Sequence, residues 1–433
     1  TYVQQSMNYQ RVMLQGALLG LRLAELAGEP FPRDVYDRLS GGAEFLFQMM
    51  DPATGRLPNY GNNDGAWVLP LNECDFTDFR PVIQAVYYLC HHRRMLPRGP
   101  WDEDLLWVFG PGAGMTEDVP PRRPQSAGFE TGGHYTLRRD RSLAMTRCHT
   151  YRDRMAQCDG LHVDLRWRGQ NILQDCGTYQ YRVPRRPDIE AYFKGPAGQN
   201  SVEIDGTAAL ENVSRFLWLP WTRAKLIDRQ LEGTGPQWLT GELYDYDRRP
   251  WKVLHRRTLL SVTPSIWVKV DDLIGSGVHR GLVRWHLFDA PYKITADGHT
   301  VHLVTPQGDV YVSVAMPDAP LNRFEVIRGR DEPGAVQGFA APYYSERIPI
   351  PTVEAEYAGP LQMRFVTGVG LGERLALVRP TDDADEQVWG LRTSRGIHHL
   401  TLAGPFRPIT RVVRGCALAQ SAIGNRPHQG ISS

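Results

Sequence analysis

Lysine is scarce in this 433-residue chain, and several other features are missing. All but five of its 49 basic residues are arginine, and 48 acidic residues bring the formal net charge to +1. A near-neutral chain lacks the basic surface of a dedicated nucleic-acid-binding protein, so nucleic acid is excluded as the main partner. No stretch approaches eighteen consecutive apolar residues, which excludes a membrane-spanning helix.

Cysteine is also sparse, with six residues spread over the chain and no CxxC pair. Such usage is not a disulfide scaffold, so the compartment stays open, with a periplasmic or secreted location slightly favoured over a cytoplasmic one. The 42% of hydrophobic residues is enough for one large or two medium domains with a sizeable core. Because the chain begins at Thr1 inside a helical pattern, we expect further residues upstream in the intact protein.

Residues 1–110 are predicted to form a helical domain. Apolar residues recur at helical spacing in four segments, at residues 3–23, at 34–50, from about Thr77-Asp78 onward, and at 101–109. The glycine pair Gly41-Gly42 is expected to bend or split the second helix. A long loop rich in asparagine and glycine, PNYGNNDGAW at residues 58–67, separates the second and third helices.

Residues 111–128 have the proline and glycine content of a linker, and the pattern after them changes. Residues 129–433 contain many short runs of Val, Ile, Trp and Tyr between turn residues, with almost no helical periodicity. Trp267 and Trp285 lie in such runs and are predicted to be core residues. The fold class is therefore α+β, a helical domain followed by a large antiparallel β-sandwich.

The strand LHVDLRWRG, at residues 161–169, has one apolar and one ionisable face, because side chains alternate along a strand. The apolar face carries Leu161, Val163, Leu165 and Trp167. The ionisable face carries His162, Asp164, Arg166 and Arg168. That second face is either simply solvated, as is common in antiparallel sheets, or it meets the helical domain and lines a cleft.

The order of five segments resembles the heparinase II/III-like family of polysaccharide lyases. The segments are LHVDLRWRG, DCGTYQY, an aromatic YF pair, QNSVEIDG and RFLW, which follow one another between residues 161 and 218. The TYVQQSMNYQR start and the LPNYGNNDGA segment are similar too, and the resemblance covers most of residues 1–290. It implies an (α/α) toroid followed by an antiparallel β-sandwich, with only the C-terminal part of the toroid in this chain.

The resemblance also implies β-elimination on a uronate-containing acidic glycan, without a cofactor, in the cleft between the two domains. Such lyases remove the C5 proton of a uronic acid, neutralise its carboxylate and break the C4–O glycosidic bond. The site therefore needs a base, an acid for the leaving oxygen and donors for the enolate-like intermediate. Tyrosine can serve as either acid or base if cationic neighbours lower its pKa from about 10.

Carried over residue by residue, the resemblance makes Tyr9 the main catalytic candidate, as base, acid or both. His162, Tyr179 and Tyr181 are secondary catalytic candidates. The residues expected to contact the glycan are amides, one carboxylate and arginines: Gln5, Asn8, Gln10, Asn59, Asn62, Asn63, Asp64, Arg154, Arg166, Arg168, Gln199 and Asn200. The asparagine-rich loop at 58–67 is equally compatible with a plain turn, because Asn, Asp and Gly are turn residues.

The sequence also departs from the family pattern. The segment RDRMAQCD, residues 152–159, lacks the expected β-domain histidine, Gln199 replaces a second one, and the carboxylate-gripping asparagine is expected upstream of Thr1. Some relatives bind a structural metal through two histidines and an aspartate. Asp175 matches that aspartate, but with Cys158 it makes only one carboxylate and one thiol, so no metal is predicted.

These departures leave two other interpretations open. One is a non-catalytic glycan-binding or exopolysaccharide-assembly protein on the same fold. The other keeps elimination or epimerisation chemistry on a different substrate. A shared fold alone does not separate them.

Overall fold

The computed structural model describes residues 4–116, 120, 122–153, 155–382, 386–394 and 396–403. Its helices are α1 (Met7–Leu26), α2 (Arg33–Met49), α3 (Arg80–His91), α4 (Glu103–Phe109), α5 (Pro111–Gly114) and α6 (Pro187–Lys194). Helix α3 begins two residues after the predicted N-cap, Asp78, whose carboxylate accepts the Arg80 backbone N–H at 2.9 Å. Among the described residues, no helix is long and apolar enough to cross a membrane.

Helix α2 runs without a break across the Gly41-Gly42 pair, so the pair does not split the helix. A Cβ atom at Gly42 would lie 3.0 Å from both the Leu14 Cδ2 and the Gln10 Nε2 atoms of α1. Glycine at this position therefore allows α1 and α2 to pack closely, and that packing stabilises the helix.

The rest of the described chain is almost entirely strands. In order they are β1 (Ala127–Phe129), β2 (His134–Arg139), β3 (Ser142–Arg147), β4 (Val163–Trp167), β5 (Gln170–Leu173), β6 (Val202–Ile204), β7 (Glu211–Ser214), β8 (Leu217–Leu219), β9 (Ala224–Gln230), β10 (Gln237–Leu243), β11 (Val253–Thr263), β12 (Ile266–Gly275) and β13 (Val278–His286). They continue as β14 (Tyr292–Ile294), β15 (Thr300–Thr305), β16 (Gly308–Ala315), β17 (Arg323–Arg328), β18 (Arg330–Glu332), β19 (Ala335–Gln337), β20 (Phe339–Ala340), β21 (Ile348–Pro349), β22 (Pro351–Pro360), β23 (Met363–Leu371), β24 (Leu375–Asp382), β25 (Glu386–Thr393) and β26 (Gly396–Ala403).

Three larger sheets organise these strands. Their orders are β1-β2-β3-β4-β5, β14-β15-β16-β23-β12-β11-β10-β9 and β17-β22-β13-β6, and a three-stranded sheet β24-β25-β26 lies beyond them. Neighbouring strands are antiparallel, as in the pairs β3-β4, β11-β12 and β13-β22. The predicted antiparallel, multi-sheet architecture is confirmed.

The three larger sheets share one hydrophobic core, in which Trp267 and Trp285 are fully buried as predicted. The three-stranded sheet packs on the eight-stranded sheet in a separate core. Helix α6 is the main departure from the predicted β pattern. It has only eight residues and buries Ile189, Tyr192 and Phe193 against residues of β19 to β21. Packing with those distant strands, rather than a long periodic pattern, stabilises this helix.

A second core joins the helices to the five-stranded sheet. Its members are mostly residues of α1 to α4, but Met145 of β3 belongs to it and Phe129 of β1 packs against it. The predicted linker at 111–128 contains α5 and the start of β1. Because the helices rest directly on this sheet, side chains from both regions meet along one seam.

Candidate active site

The N-terminus of α1 is fixed against the asparagine-rich loop. The Ser6 hydroxyl accepts the Tyr9 backbone N–H at 3.1 Å and donates to the Asn62 carbonyl oxygen at 2.5 Å. The Met7 backbone N–H donates to the Tyr60 carbonyl oxygen at 3.0 Å. Ser6 is therefore the helix cap, which is why α1 begins at Met7 rather than at the predicted residue 3.

The same loop is tied to the chain that follows β5. The Thr178 hydroxyl donates to the Gly61 carbonyl oxygen at 3.1 Å and accepts the Asn63 backbone N–H at 3.0 Å. Gly61 has φ of +76°, and a Cβ atom there would lie 2.1 Å from the Gln5 carbonyl oxygen. Only glycine fits this close approach. The start of α1, the loop at 58–67 and the chain after β5 therefore meet at this point.

Tyr9, Asp64 and Tyr181 come together at this meeting point. The Tyr9 hydroxyl donates to Asp64 Oδ2 at 2.5 Å and lies 3.3 Å from the Tyr181 hydroxyl. Burial, the hydrogen bond with Tyr9 and the nearby Asp64 charge raise the pKa of Tyr181. A carboxylate neighbour thus favours the protonated form of Tyr181, whereas the sequence pattern led us to expect cationic neighbours that lower a tyrosine pKa.

Aromatic rings surround this centre. The Tyr181 ring contacts Phe216 at 5.5 Å and Tyr344 at 5.6 Å between centroids, and Phe76 contacts Tyr343 at 4.9 Å. The sequence analysis missed Tyr343 and Tyr344, because they lie more than 160 residues along the chain from Tyr181. The only signal for them was a tyrosine pair in a proline-flanked loop.

A cleft of about 380 Å³ opens at the seam between helices and sheets. Tyr9, Asp64 and Tyr181 do not line it, but Asn8 and Asn63, the chain neighbours of Tyr9 and Asp64, do. Four predicted residues line it: Asn8, Asn59, Asn63 and Arg166. Further polar residues that the sequence analysis did not predict also line it: Arg56, Gln170, Asn171 and Gln174. Arg166 is buried and its guanidinium donates to the Leu57 carbonyl oxygen at 2.6 Å. Arg56 is exposed and forms no ion pair within the described residues, so it is the arginine of this cleft that remains available to a ligand.

Beneath the cleft lies a buried ionic cluster centred on Arg147. Its guanidinium is 3.0 Å from Asp159, 3.2 Å from Asp164 and 2.8 Å from Asp175. Burial raises the pKa of Asp175, whereas for Asp159 the cationic surroundings, His149 and Arg147, outweigh burial and lower the pKa. The guanidinium brings one positive charge to three buried carboxyl groups, and His149 and His162 lie 3.4 Å from Asp159 and 3.5 Å from Asp164.

The cluster does not fit the structural metal that the family resemblance suggested. The guanidinium of Arg147 lies against Asp175, and the side-chain amide of Gln157 is 3.5 Å from the same carboxylate. An amide N–H and a guanidinium are donors, so they offer a cation no ligand. Within the described ranges, no group of three His, Cys, Asp or Glu side chains has a metal-binding arrangement.

Three predicted site residues lie in the interior instead of at a surface. His162, Gln199 and Asn200 have no exposed area. The Asn200 backbone N–H donates to His162 Nδ1 at 3.0 Å, and its side-chain amide donates to the Val163 and Gln174 carbonyl oxygens at 2.9 and 3.1 Å. The segment after α6 covers His162, whereas Arg166 contacts Leu57 and lines the cleft. The solvated alternative therefore holds only for Arg168, and the other three residues of this face are buried. His162, Gln199 and Asn200 do not line the cleft.

The remaining candidates are dispersed. Tyr179 stacks on Phe193 at 5.4 Å, and the Arg168 guanidinium donates to the Gln307 carbonyl oxygen at 3.0 Å. Neither lines the cleft. Arg154 lies outside the described residues. Three further amides are buried: Gln5, Gln10 and Asn62.

A model of the heparinase II/III-like C-terminal domain matches residues 121–350, more than half of the chain. A mutant heparan sulfate lyase HepC from Pedobacter heparinus superposes with a TM-score of 0.70 at 14% identity, over 94% of this chain and 60% of that one. A heparinase III gene product superposes with a TM-score of 0.69 at 14% identity, over 91% of this chain and 57% of that one.

Another heparinase III structure gives a TM-score of 0.67 at 15% identity, covering 92% of this chain and 59% of its own. This chain therefore spans no more than about 60% of the length of these structures. No curated protein sequence matches it. At such low identity the structures establish a shared fold.

Proposed function

Because the chain belongs to the heparinase II/III-like family through its C-terminal domain, we propose that it is a polysaccharide lyase-like enzyme acting by β-elimination on a uronate-containing acidic glycan. On this proposal the helices are the C-terminal part of an (α/α) toroid, and the glycan lies along the seam between helices and sheets. The observation that supports it best is the Tyr9 hydroxyl, which is shared with Asp64 and Tyr181 at that seam.

The three side chains suit the two proton transfers of the reaction. Tyr9 takes the C5 proton of the uronate while its own proton passes to the Asp64 carboxylate, 2.5 Å away. The C5–H electron pair forms the C4=C5 double bond, and the C4–O bond breaks. Tyr181, whose raised pKa keeps it protonated, donates its proton to the leaving oxygen.

The substrate carboxylate also needs a partner, because its charge opposes removal of the C5 proton. Arg56 lines the cleft, is exposed and forms no ion pair in the described part of the chain. Asn63 lines the cleft beside it, next in the chain to Asp64. A guanidinium that binds the carboxylate in bidentate fashion stabilises the enolate-like intermediate. Arg56 therefore takes the role in binding the uronate that was expected of Arg154, Arg166 and Arg168.

The test is incubation of the intact protein with a panel of alginate, heparan sulfate, chondroitin sulfate, hyaluronan and bacterial exopolysaccharides. Elimination creates an unsaturated uronate, so at least one polymer should give new ultraviolet absorbance together with shorter chains. Tight binding without absorbance for every polymer would contradict the proposal and favour the non-catalytic glycan-binding alternative. Shorter chains without absorbance would indicate hydrolysis and would equally contradict elimination.

A further inference from the structure

A second groove, which no part of the proposed mechanism uses, begins at Tyr181 and is lined by arginines. It encloses about 900 Å³, and its basic residues are Arg182, Arg185 and Arg215. All three are exposed, and none forms a hydrogen bond or ion pair through its side chain within the described residues. Within the part of the chain that the structure describes, most arginine side chains form a hydrogen bond or an ion pair, so three guanidinium groups around this groove remain available to a ligand.

The groove contains no available counter-charge. Its one acidic lining residue, Glu190, is 2.6 Å from the ammonium group of Lys194. The neighbouring Arg186 is neutralised by Asp188 at 2.9 Å and Asp331 at 2.7 Å. Because Arg182, Arg185 and Arg215 have no acidic partner among the lining residues, the groove has a net positive charge, which attracts anions.

Two segments build the groove, and both are held in place. The turn between β7 and β8 carries Arg215, and the next residue, Phe216, packs on the Tyr181 ring at 5.5 Å. On the other side, Arg185 has a left-handed backbone with φ of +67° and is the third residue of a turn in which the Arg186 backbone N–H donates to the Val183 carbonyl oxygen at 3.1 Å. A non-glycine residue rarely adopts this conformation unless its surroundings impose it, and such residues cluster at ligand sites.

We propose that this arginine groove binds the carboxylate or sulfate groups of the glycan units that flank the bond cleaved at Tyr9. The inference rests on the proposed function and extends it from the cleaved bond to the neighbouring sugars. Guanidinium groups bind both anions through paired N–H donors. The groove starts at Tyr181, whose hydroxyl lies 3.3 Å from that of Tyr9, so a chain bound there is continuous with the catalytic centre.

The test replaces Arg182, Arg185 and Arg215 together with glutamine in the intact protein. A matched control replaces three exposed arginines outside the groove with glutamine: Arg123, Arg141 and Arg374. Calorimetric titration would use a heparan sulfate hexasaccharide and an unsulfated hexasaccharide of the same backbone, with single-stranded oligo-dT as a polyanion of another class. Circular dichroism confirms that both variants fold.

The groove variant should bind at least about tenfold more weakly than the wild type, equivalent to the loss of two or three exposed charge-assisted contacts. The control should stay within about twofold. If the groove variant loses affinity for both hexasaccharides, the groove binds carboxylates. If it loses affinity for the sulfated hexasaccharide alone, the groove binds sulfates. Equal affinities of the two variants would overturn the proposal, as would failure of the wild type to bind either hexasaccharide. The proposal would also be overturned if oligo-dT bound as tightly as the glycan and lost as much affinity on replacement of the three arginines.

These outcomes are separable from the proposed lyase activity. A wild type that binds through the arginines but never produces unsaturated sugar would retain the groove assignment and contradict the lyase proposal. A groove variant that cleaves glycan with an unchanged KM would retain the lyase and contradict the groove.

Discussion

Replacing Arg147 with methionine should destabilise the protein severely. The guanidinium is completely buried and lies within 3.2 Å of three carboxylates, those of Asp159, Asp164 and Asp175. Removing one partner of a buried ion pair costs about 3–5 kcal/mol. The guanidinium also lies 4.4 Å from the centre of the Tyr60 ring, a contact that contributes about 1 kcal/mol.

The expected loss is therefore about 4–6 kcal/mol of the free energy of unfolding, a large part of the roughly 5–15 kcal/mol typical of a folded protein. The loss should also depend on pH. Without Arg147, burial and mutual repulsion raise the pKa of Asp175 further above its unfolded value of about 3.9, and Asp159 and Asp164 lose one of the groups that hold their pKa values down. A carboxyl group whose pKa is higher in the folded than in the unfolded protein destabilises the fold as pH rises between those two values. The stability lost in Arg147→Met should therefore be larger at pH 8 than at pH 5.

Urea unfolding followed by circular dichroism at the two pH values measures both effects. Arg122→Met is the matched control, because Arg122 binds Glu44 through two contacts of 3.0 and 3.1 Å at a half-exposed position. That change should cost less than about 1 kcal/mol at either pH. A deficit for Arg147→Met below about 1.5 kcal/mol, or one that is equal at pH 5 and pH 8, would refute the reasoning.

Three further predictions concern the site and its supports. Gly61→Ala should lower the free energy of unfolding in urea by at least about 2 kcal/mol, because the new Cβ meets the Gln5 carbonyl oxygen at 2.1 Å. The control is Gly28→Ala, which has a similar φ in open space and should cost only the backbone strain of about 1–2 kcal/mol. Equal costs for the two variants would show that the contact at Gly61 is not tight. His134 is fully buried with no hydrogen-bond partner in the described chain, and burial holds its pKa well below 6.5. Its contribution to stability is present above pH 6.5 and lost as pH falls, so wild type should lose up to about 1.4 kcal/mol per pH unit more than His134→Phe below that value, and parallel stability curves would contradict this. Tyr181→Phe should lower turnover by roughly 10²–10⁴-fold with unchanged stability, and full activity would exclude it as the proton donor.

Local patterns in the sequence predicted the helices and the antiparallel sheets because periodicity reflects which face is buried. The exact helix ends depended on caps such as Ser6, and helix α6 depended on packing with β19 to β21. Neither effect is visible in a hydrophobic period. The Gly41-Gly42 pair was misread because the benefit of a glycine there comes from its contact with another helix.

The candidate site was predictable only in part. Tyr9 followed from the family resemblance, and Asp64 was expected to bind substrate, but their hydrogen bond joins residues 55 positions apart. The alternation along β4 correctly separated its two faces, yet it could not distinguish solvent from an ionic cluster. The deciding partner, Arg147, is on another strand, and a single sequence without spatial information does not pair it with Asp164 and Asp175.

The most direct test of the account compares the intact wild-type protein with its Tyr9→Phe variant on the best polymer from the glycan panel. The readout is the rate at which unsaturated uronate appears, measured by ultraviolet absorbance and checked by mass spectrometry of the products. We expect elimination by the wild type and a loss of roughly 10²–10⁴-fold in the variant, with the variant still folded at the assay temperature, because the substitution removes one part-buried hydrogen bond, that to Asp64. A fully active Tyr9→Phe variant would contradict the proposed chemistry.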